Sequence, residues 1–282
     1  MKQYEIEKIL FFDTETTGLP EKGKAWNVDY KDWPYIVQIA WVFGGKEETH
    51  IIRPDGWSIP EAATAVHGIT DEYAHEHGES FRDVMDMFLA DAERADYICG
   101  HNIHFDTGMV KANILRDLGW NYFDTKNVEF ALHRDRRIDT MRSTMKWVDA
   151  RNAWGKLKFP NLTELYDHCF PGETFPAHDA LSDVMAVVRC FPVIMEAGLL
   201  EPKETPANPV SLFGKVAEAA SDAAKIASGM AKEYGKTPET AGNAPILNAN
   251  QKDGKLPVFE EKTQQNANLD KITSDLLSAN LF

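Results

Sequence analysis

Hydrophobic positions in this chain fall into two rhythms. KILFFDTE (8–15) and IVQIAWVF (36–43) are apolar runs of strand length. Gly44-Gly45 follows the second run and marks a hairpin turn into a third strand, Glu47–Arg53. Helical spacing predicts helices near Pro60–Val66 and Ser80–Asp91, the latter capped by Ser80. A strand is expected at Tyr97–His101, a helix over about Phe105–Leu118 and a strand near Arg137–Thr140. Helices near Leu162–His168 and Asp179–Ala197 close the series. A three-strand meander followed by strand–helix–strand implies an α/β domain whose mixed five-stranded sheet is flanked by helices.

The rhythm is lost after Leu200. EPKETPANP reads as a proline-rich polar linker. Residues 214–235 are Ala-rich, with helix propensity but little bulk to bury. Residues 236–268 are polar and rich in Asn, Gln, Lys and Pro, a composition that implies disorder. A short amphipathic piece, NLDKITSDLLSANLF, follows, and no internal repeat is found. The expected organisation is a folded domain over 1–200 and a linker and interaction tail over 201–282.

Composition narrows the class. With 43% hydrophobic residues over 282 positions the chain can bury a sizeable core. No stretch approaches the ~20 apolar residues of a membrane span, and MKQYEIEKIL lacks the apolar segment of a secretory signal. Three cysteines, Cys99, Cys169 and Cys190, lack metal-type spacing and read as reduced thiols of a cytoplasmic protein. The net charge of −14 argues against a nucleic-acid partner. Its distribution softens that objection: His133 to Lys158 holds eight Lys/Arg against three Asp, a local +5 that is either a solvated face or a phosphate-binding surface.

Candidate chemistry begins at LFFDTETTGL. Side chains alternate along a strand, so Asp13 and Glu15 point to the same side, where the apolar run emerges. Close carboxylates repel unless a cation lies between them. Hard oxygen ligands favour Mg²⁺ or Mn²⁺. Two further carboxylates end apolar segments, Asp106 in YICGHNIHFD and Asp183 in FPAHDALSDVMAVV. Four carboxylates from three elements could hold two ions ~3.5–4 Å apart, the arrangement that clamps the oxygens of a phosphodiester during hydrolysis. His178, five residues before Asp183, could take a proton from water at the same site.

FFDTETTGL, AVHGIT, GHNIHFD and HDALSD, in this order, resemble the DEDDh 3′–5′ exonucleases, the group of the proofreading epsilon subunit of bacterial DNA polymerase III. The resemblance runs from about Ile9 to Phe191. It implies a ribonuclease-H-like sheet and metal-dependent removal of nucleotides from the 3′ end of DNA, in proofreading or repair. By the same resemblance Asp13, Glu15, Asp106 and Asp183 are metal ligands and His178 is the general base. Thr14, Thr16 and Gly18 resemble contacts to the terminal nucleotide, and His67, Gly68 and Ile69 the segment against its base and sugar. Asn102 and Phe105 fall beside the second aspartate. Ile69 and Phe105 read equally well as core residues, Asn102 as a loop anchor, and Asp179 as the start of a helix.

Two segments lie beyond the motifs. EKGKAWNVDYKDWPY carries Trp26, Tyr30, Trp33 and Tyr35, which either stack on unpaired bases or pack on the domain's flank. Pro209–Phe213 and Ala279–Phe282 resemble the short apolar peptides that dock on a sliding clamp. Alternatively, Leu212 and Phe213 pack back on the domain and the final segment docks on a polymerase or a second copy. An RNA-trimming exonuclease and a non-catalytic nucleic-acid adaptor are the competing functions.

Overall fold

The computed structural model describes residues 4–200. Strands β1 (Ile9–Thr16), β2 (Ile36–Phe43), β3 (Lys46–Ile51), β4 (Tyr97–Gly100) and β5 (Arg137–Asp139) form one mixed sheet in the order β3-β2-β1-β4-β5. The first three strands form an antiparallel meander, and β4 and β5 run parallel to β1. Phe43 pairs with Lys46 across a two-residue turn. Gly44 and Gly45 both have positive φ, which hairpin turns of this length require and glycine adopts without strain. This is the mixed five-stranded sheet flanked by helices that the apolar pattern predicts, and it has the ribonuclease-H-like form that the resemblance implies.

Nine α-helices are described: α1 (Glu61–His67), α2 (Asp71–His77), α3 (Phe81–Arg94), α4 (Ile103–Asp117), α5 (Gly119–Thr125), α6 (Val128–Ala131), α7 (Thr140–Val148), α8 (Leu162–Cys169) and α9 (Ala180–Glu196). The alternation of β1 distributes them. Leu10 and Phe12 face a core with Val84, Met85, Phe88 and Leu89 of α3 and Met109 and Val110 of α4. Ile9 and Phe11 face the other side, against Val184, Val187 and Phe191 of α9. The sheet is therefore covered on both faces. Ser80 stands at the N-cap position of α3, but its side chain makes no capping bond.

Part of the basic segment turns inward. Arg136 is 1% exposed, and its guanidinium donates to the carbonyls of Ala92, Ala95, Phe130 and Ala131. Burial lowers its pKa to about 10. The aromatic-rich segment packs on the domain's flank. Trp33 is buried, Trp26 stacks on Phe123, and Tyr35 stacks on Trp57 and has the Arg116 guanidinium 3.5 Å from its ring centroid. The expectations for 214–235, 236–268, Pro209–Phe213 and Ala279–Phe282 lie outside the described residues.

Candidate active site

Strand alternation, continued past Phe12, sends Asp13 and Glu15 toward α9 and Thr14 toward α4. Asp183 lies in the first turn of α9 and Asp106 in the first turn of α4. The two helices thus bring their carboxylates to the carboxyl end of β1 from opposite faces of the sheet. Ligand atoms of Glu15, His178 and Asp183 all lie within 4.8 Å of one another. Asp183 Oδ2 accepts from the backbone N–H of His178 at 3.3 Å. His178 is exposed and has φ 71°, a left-handed conformation that sets its ring at the lip just before the helix. Asp106 is 2% exposed, and its Oδ1 accepts from the Thr14 hydroxyl at 2.7 Å and the Thr14 N–H at 3.2 Å.

The electrostatics follow from burial of like charges. Asp13 is held well above the usual carboxylate range, first by burial and then by Asp106, Asp183 and Glu15. Burial, then Asp183, Asp106 and Asp179, raise Glu15 from 4.5 to about 7. Burial raises Asp106 to about 7 despite its bonds from Thr14. Burial raises Asp183 to about 6, opposed by the His178 N–H. The four groups are thus a mutually repelling set.

The donor set fits a hard divalent cation. Asp183 Oδ1 is buried and has no hydrogen-bond partner, although buried carboxylate oxygens are normally satisfied. An oxygen-rich set of this kind is that of Mg²⁺ or Mn²⁺.

The other candidate residues are placed as follows. The Thr14 hydroxyl is committed to Asp106, and Thr16 Oγ1 donates to the carbonyl of Gly18 at 2.7 Å. Gly68 ends α1 with φ 77°. Ile69 is buried beside Val37, Ile59, Ala63 and Ala74, as the core alternative has it. His67 Nδ1 accepts from the Ile69 N–H at 3.1 Å, which puts the ring proton on Nε2, a buried atom without a partner. Asn102 is left-handed, and its N–H donates to Asp139 Oδ1 at 3.2 Å. Phe105 packs half-buried against the larger core. Asp179 is the N-cap of α9 and accepts from the N–H and hydroxyl of Ser182.

Three supporting residues escaped the sequence reading. Gln38, opposite Glu15 on β2, accepts from Ala180 N–H at 3.2 Å and donates to Asp179 Oδ1 at 3.2 Å. Its signal was a lone amide inside IVQIAWVF. Asp139 ends β5, caps α7 through the Met141 and Arg142 N–H groups, and adds to the field on Asp106. The ring of His101 has Nε2 at 3.0 Å from the Pro160 carbonyl and Nδ1 at 3.1 Å from the Thr140 hydroxyl.

A ribonuclease-H-like sheet that collects acidic groups at the end of its central strand belongs to a nuclease. The chain belongs to the Exonuclease (RNase_T) family, whose model matches residues 10–191. Among solved structures it is similar to E. coli exonuclease I in complex with a dA16 oligonucleotide, at 19% identity and a TM-score of 0.51 over 68% of this chain and 41% of that one. A product-bound exonuclease I matches at 20% identity and 0.50 over 68% and 44%. Exonuclease X in complex with 5′ overhanging duplex DNA matches at 21% identity and 0.45 over 70% and 96%. The chain spans about two fifths of the exonuclease I chains, and the likeness is one of fold. No curated protein matches it. No helix among the described residues is long and apolar enough to cross a membrane.

Proposed function

We propose that this protein is a 3′–5′ exonuclease that hydrolyses the terminal phosphodiester of a DNA strand and releases nucleoside monophosphates. The observation that carries the reading is the gathering of Glu15, His178 and Asp183 around a buried, unpartnered carboxylate oxygen, in a chain of the exonuclease family. Two cations, Mg²⁺ or Mn²⁺, held by Asp13, Glu15, Asp106 and Asp183, would supply the positive charge that the scissile phosphate and leaving oxygen require.

His178 stands at the exposed lip and acts as general base, taking the proton of the attacking water. The Asp183 carboxylate holds the His178 backbone through its N–H and so fixes where the ring can sit. Thr14 orients Asp106 from the adjacent strand position. His67 Nε2–H offers a donor, and Gly68 with the exposed end of α1 offers backbone room, for the terminal sugar and base. Thr16, Gly18, Asn102 and Phe105 complete the contact set; Ile69 supports it from the core. The epsilon-subunit likeness supports a role in proofreading or repair. The sliding clamp, through Pro209–Phe213 or Ala279–Phe282, and a DNA polymerase are the partners this role suggests. The unpaired thiols of Cys99, Cys169 and Cys190 suit the cytoplasm.

The test is release of a label from the 3′ end of single-stranded DNA, mismatched duplex and RNA, each with Mg²⁺, Mn²⁺ or chelator. DNA is degraded one nucleotide at a time in the presence of cation. Asp13→Ala abolishes turnover, and His178→Ala slows it ~10²–10⁴-fold. Full activity of Asp13→Ala, or cleavage confined to RNA, overturns the reading.

A further inference from the structure

Beside the acidic pocket the chain builds a second feature that the proposed chemistry does not use. Helix α7 ends at Asp149, which has φ 53°, and the chain turns back on itself over residues 150–158. Arg151 and Leu157 form an antiparallel bridge. The Asn152 carboxamide oxygen accepts from the N–H groups of Trp154 and Lys156, each at 3.0 Å. Backbone bonds from Asn152 to Lys156, Gly155 to Asn152 and Lys158 to Ala150 close the hairpin. This is an internally fixed loop, and at its tip Trp154 is 82% exposed, more than any other large hydrophobic described.

The surroundings of that indole are basic. From Thr140 to Pro160 the sequence has five Lys/Arg (142, 146, 151, 156, 158) against Asp149, a local +4 in a chain of −14. Arg142, Lys146, Arg151 and Lys156 are exposed. Phe159, 43% exposed, lies 5.4 Å from the Arg142 guanidinium. The hairpin is also tied to the pocket. The His101 ring holds Pro160 at its end and Thr140 at the start of α7, and Asp139 holds the N–H of Asn102. His101 and Asn102 lead directly into α4, whose first turn carries Asp106.

Rigid aromatic faces among exposed cations are the chemistry of a single-strand platform, where bases stack and phosphates pair with Lys and Arg. We propose that the hairpin over 149–160, with the exposed face of α7, is a second binding site for the nucleic-acid strand leading into the pocket. Trp154 and Phe159 stack bases, and Arg142, Lys146, Arg151 and Lys156 take phosphates. The acidic remainder of the surface repels a polyanion, so the platform selects the path by which the strand arrives. The assignment rests on the exonuclease reading for the direction of the strand, not for the binding itself.

The test compares DNA strands of roughly three and roughly fifteen nucleotides, below and within the ~4–16 nucleotides that such platforms occupy. On the long strand Trp154→Ala raises KM ~5- to 150-fold with kcat kept, one stacked base being lost. Trp154→Tyr restores most of it, and the short strand is turned over as by wild type. The double charge reversal Lys146→Glu, Lys156→Glu weakens binding of the long strand and flattens its salt dependence by at least ~1.4 in slope. Equal effects of Trp154→Ala on short and long strands, or none on either, overturn the proposal. Anisotropy of a labelled long strand in chelator reads binding without turnover. A wild type that cleaves nothing yet loses affinity on Trp154→Ala refutes the exonuclease reading and keeps the platform.

Discussion

Glu15→Gln should stabilise the metal-free protein, although it removes a residue placed at the centre of the chemistry. Burial and the neighbouring carboxylates raise Glu15 from 4.5 to about 7. One unit is 1.36 kcal/mol, so the shift corresponds to about 3 kcal/mol before screening. The side chain is partly open to solvent, which leaves ~1–2 kcal/mol. Between pH 4.5 and about 7 the folded state keeps a proton that the unfolded chain has released. Wild-type stability therefore falls as pH rises through that window, and Gln has no proton to lose. In chelator above the window the variant should melt ~2–8 °C higher, at ~2–4 °C per kcal/mol for a domain of this size. Below the window both side chains are neutral and the curves should converge. Saturating Mg²⁺ should reverse the order, because wild type gains a ligand bond that Gln supplies poorly. Thermal unfolding followed by circular dichroism, at several pH values with chelator or Mg²⁺, measures all of this. A variant less stable than wild type in chelator above pH 7, or a difference that persists unchanged to pH 4, would falsify the repulsion argument.

Other perturbations test other links. Thr14→Val keeps volume but removes the hydroxyl that donates to Asp106. With a charge-assisted bond worth ~1.5–3 kcal/mol, the acid limb of the activity–pH profile should move up by ~1–2 units; an unmoved limb would show that the bond does not tune Asp106. Arg136→Met leaves the carbonyls of Ala92, Ala95, Asp96, Phe130 and Ala131 without this donor and should lower the urea midpoint by an amount equivalent to ~3–5 kcal/mol; a loss under 1 kcal/mol would mean water replaces the guanidinium. Gly100→Ala would put a Cβ 2.9 Å from the carbonyl oxygen of Phe12, a backbone atom that cannot swing away. It should destabilise by ~1–3 kcal/mol, read as a lower melting temperature, and wild-type melting would show that β4 can shift.

The strands were largely legible because both faces of the sheet are buried, so β1 and β2 read as unbroken apolar runs; the second was expected over the residues it occupies. The hairpin between β2 and β3 was written in two glycines. Helices α2, α5, α6 and α7 were not seen. Helices α5 and α6 are 7 and 4 residues long, too short for a period to show, and α7 buries Thr140 and Thr144 where an apolar period would need hydrophobic residues. The acidic candidates stood out because each ends an apolar segment. Their supports did not, because Gln38 and Asp139 act across the sheet on residues 141 and 37 positions away. The basic stretch was legible as charge but not as geometry: Arg136 and Trp154 lie 18 positions apart, one sealed among carbonyls of α3 and α6 and the other held out in water.

Gln38 carries a consequence for how this protein can change over time. Its amide pins the first residues of α9 to the middle of β2, so the helix that bears Asp183 is registered by the sheet and not by the connection that precedes it. Residues 171–177, between α8 and His178, hold to the two helices by separate contacts, Glu173 to Arg189 and Phe175 to Tyr166. The length of that connection can therefore change while the acid it introduces stays in register.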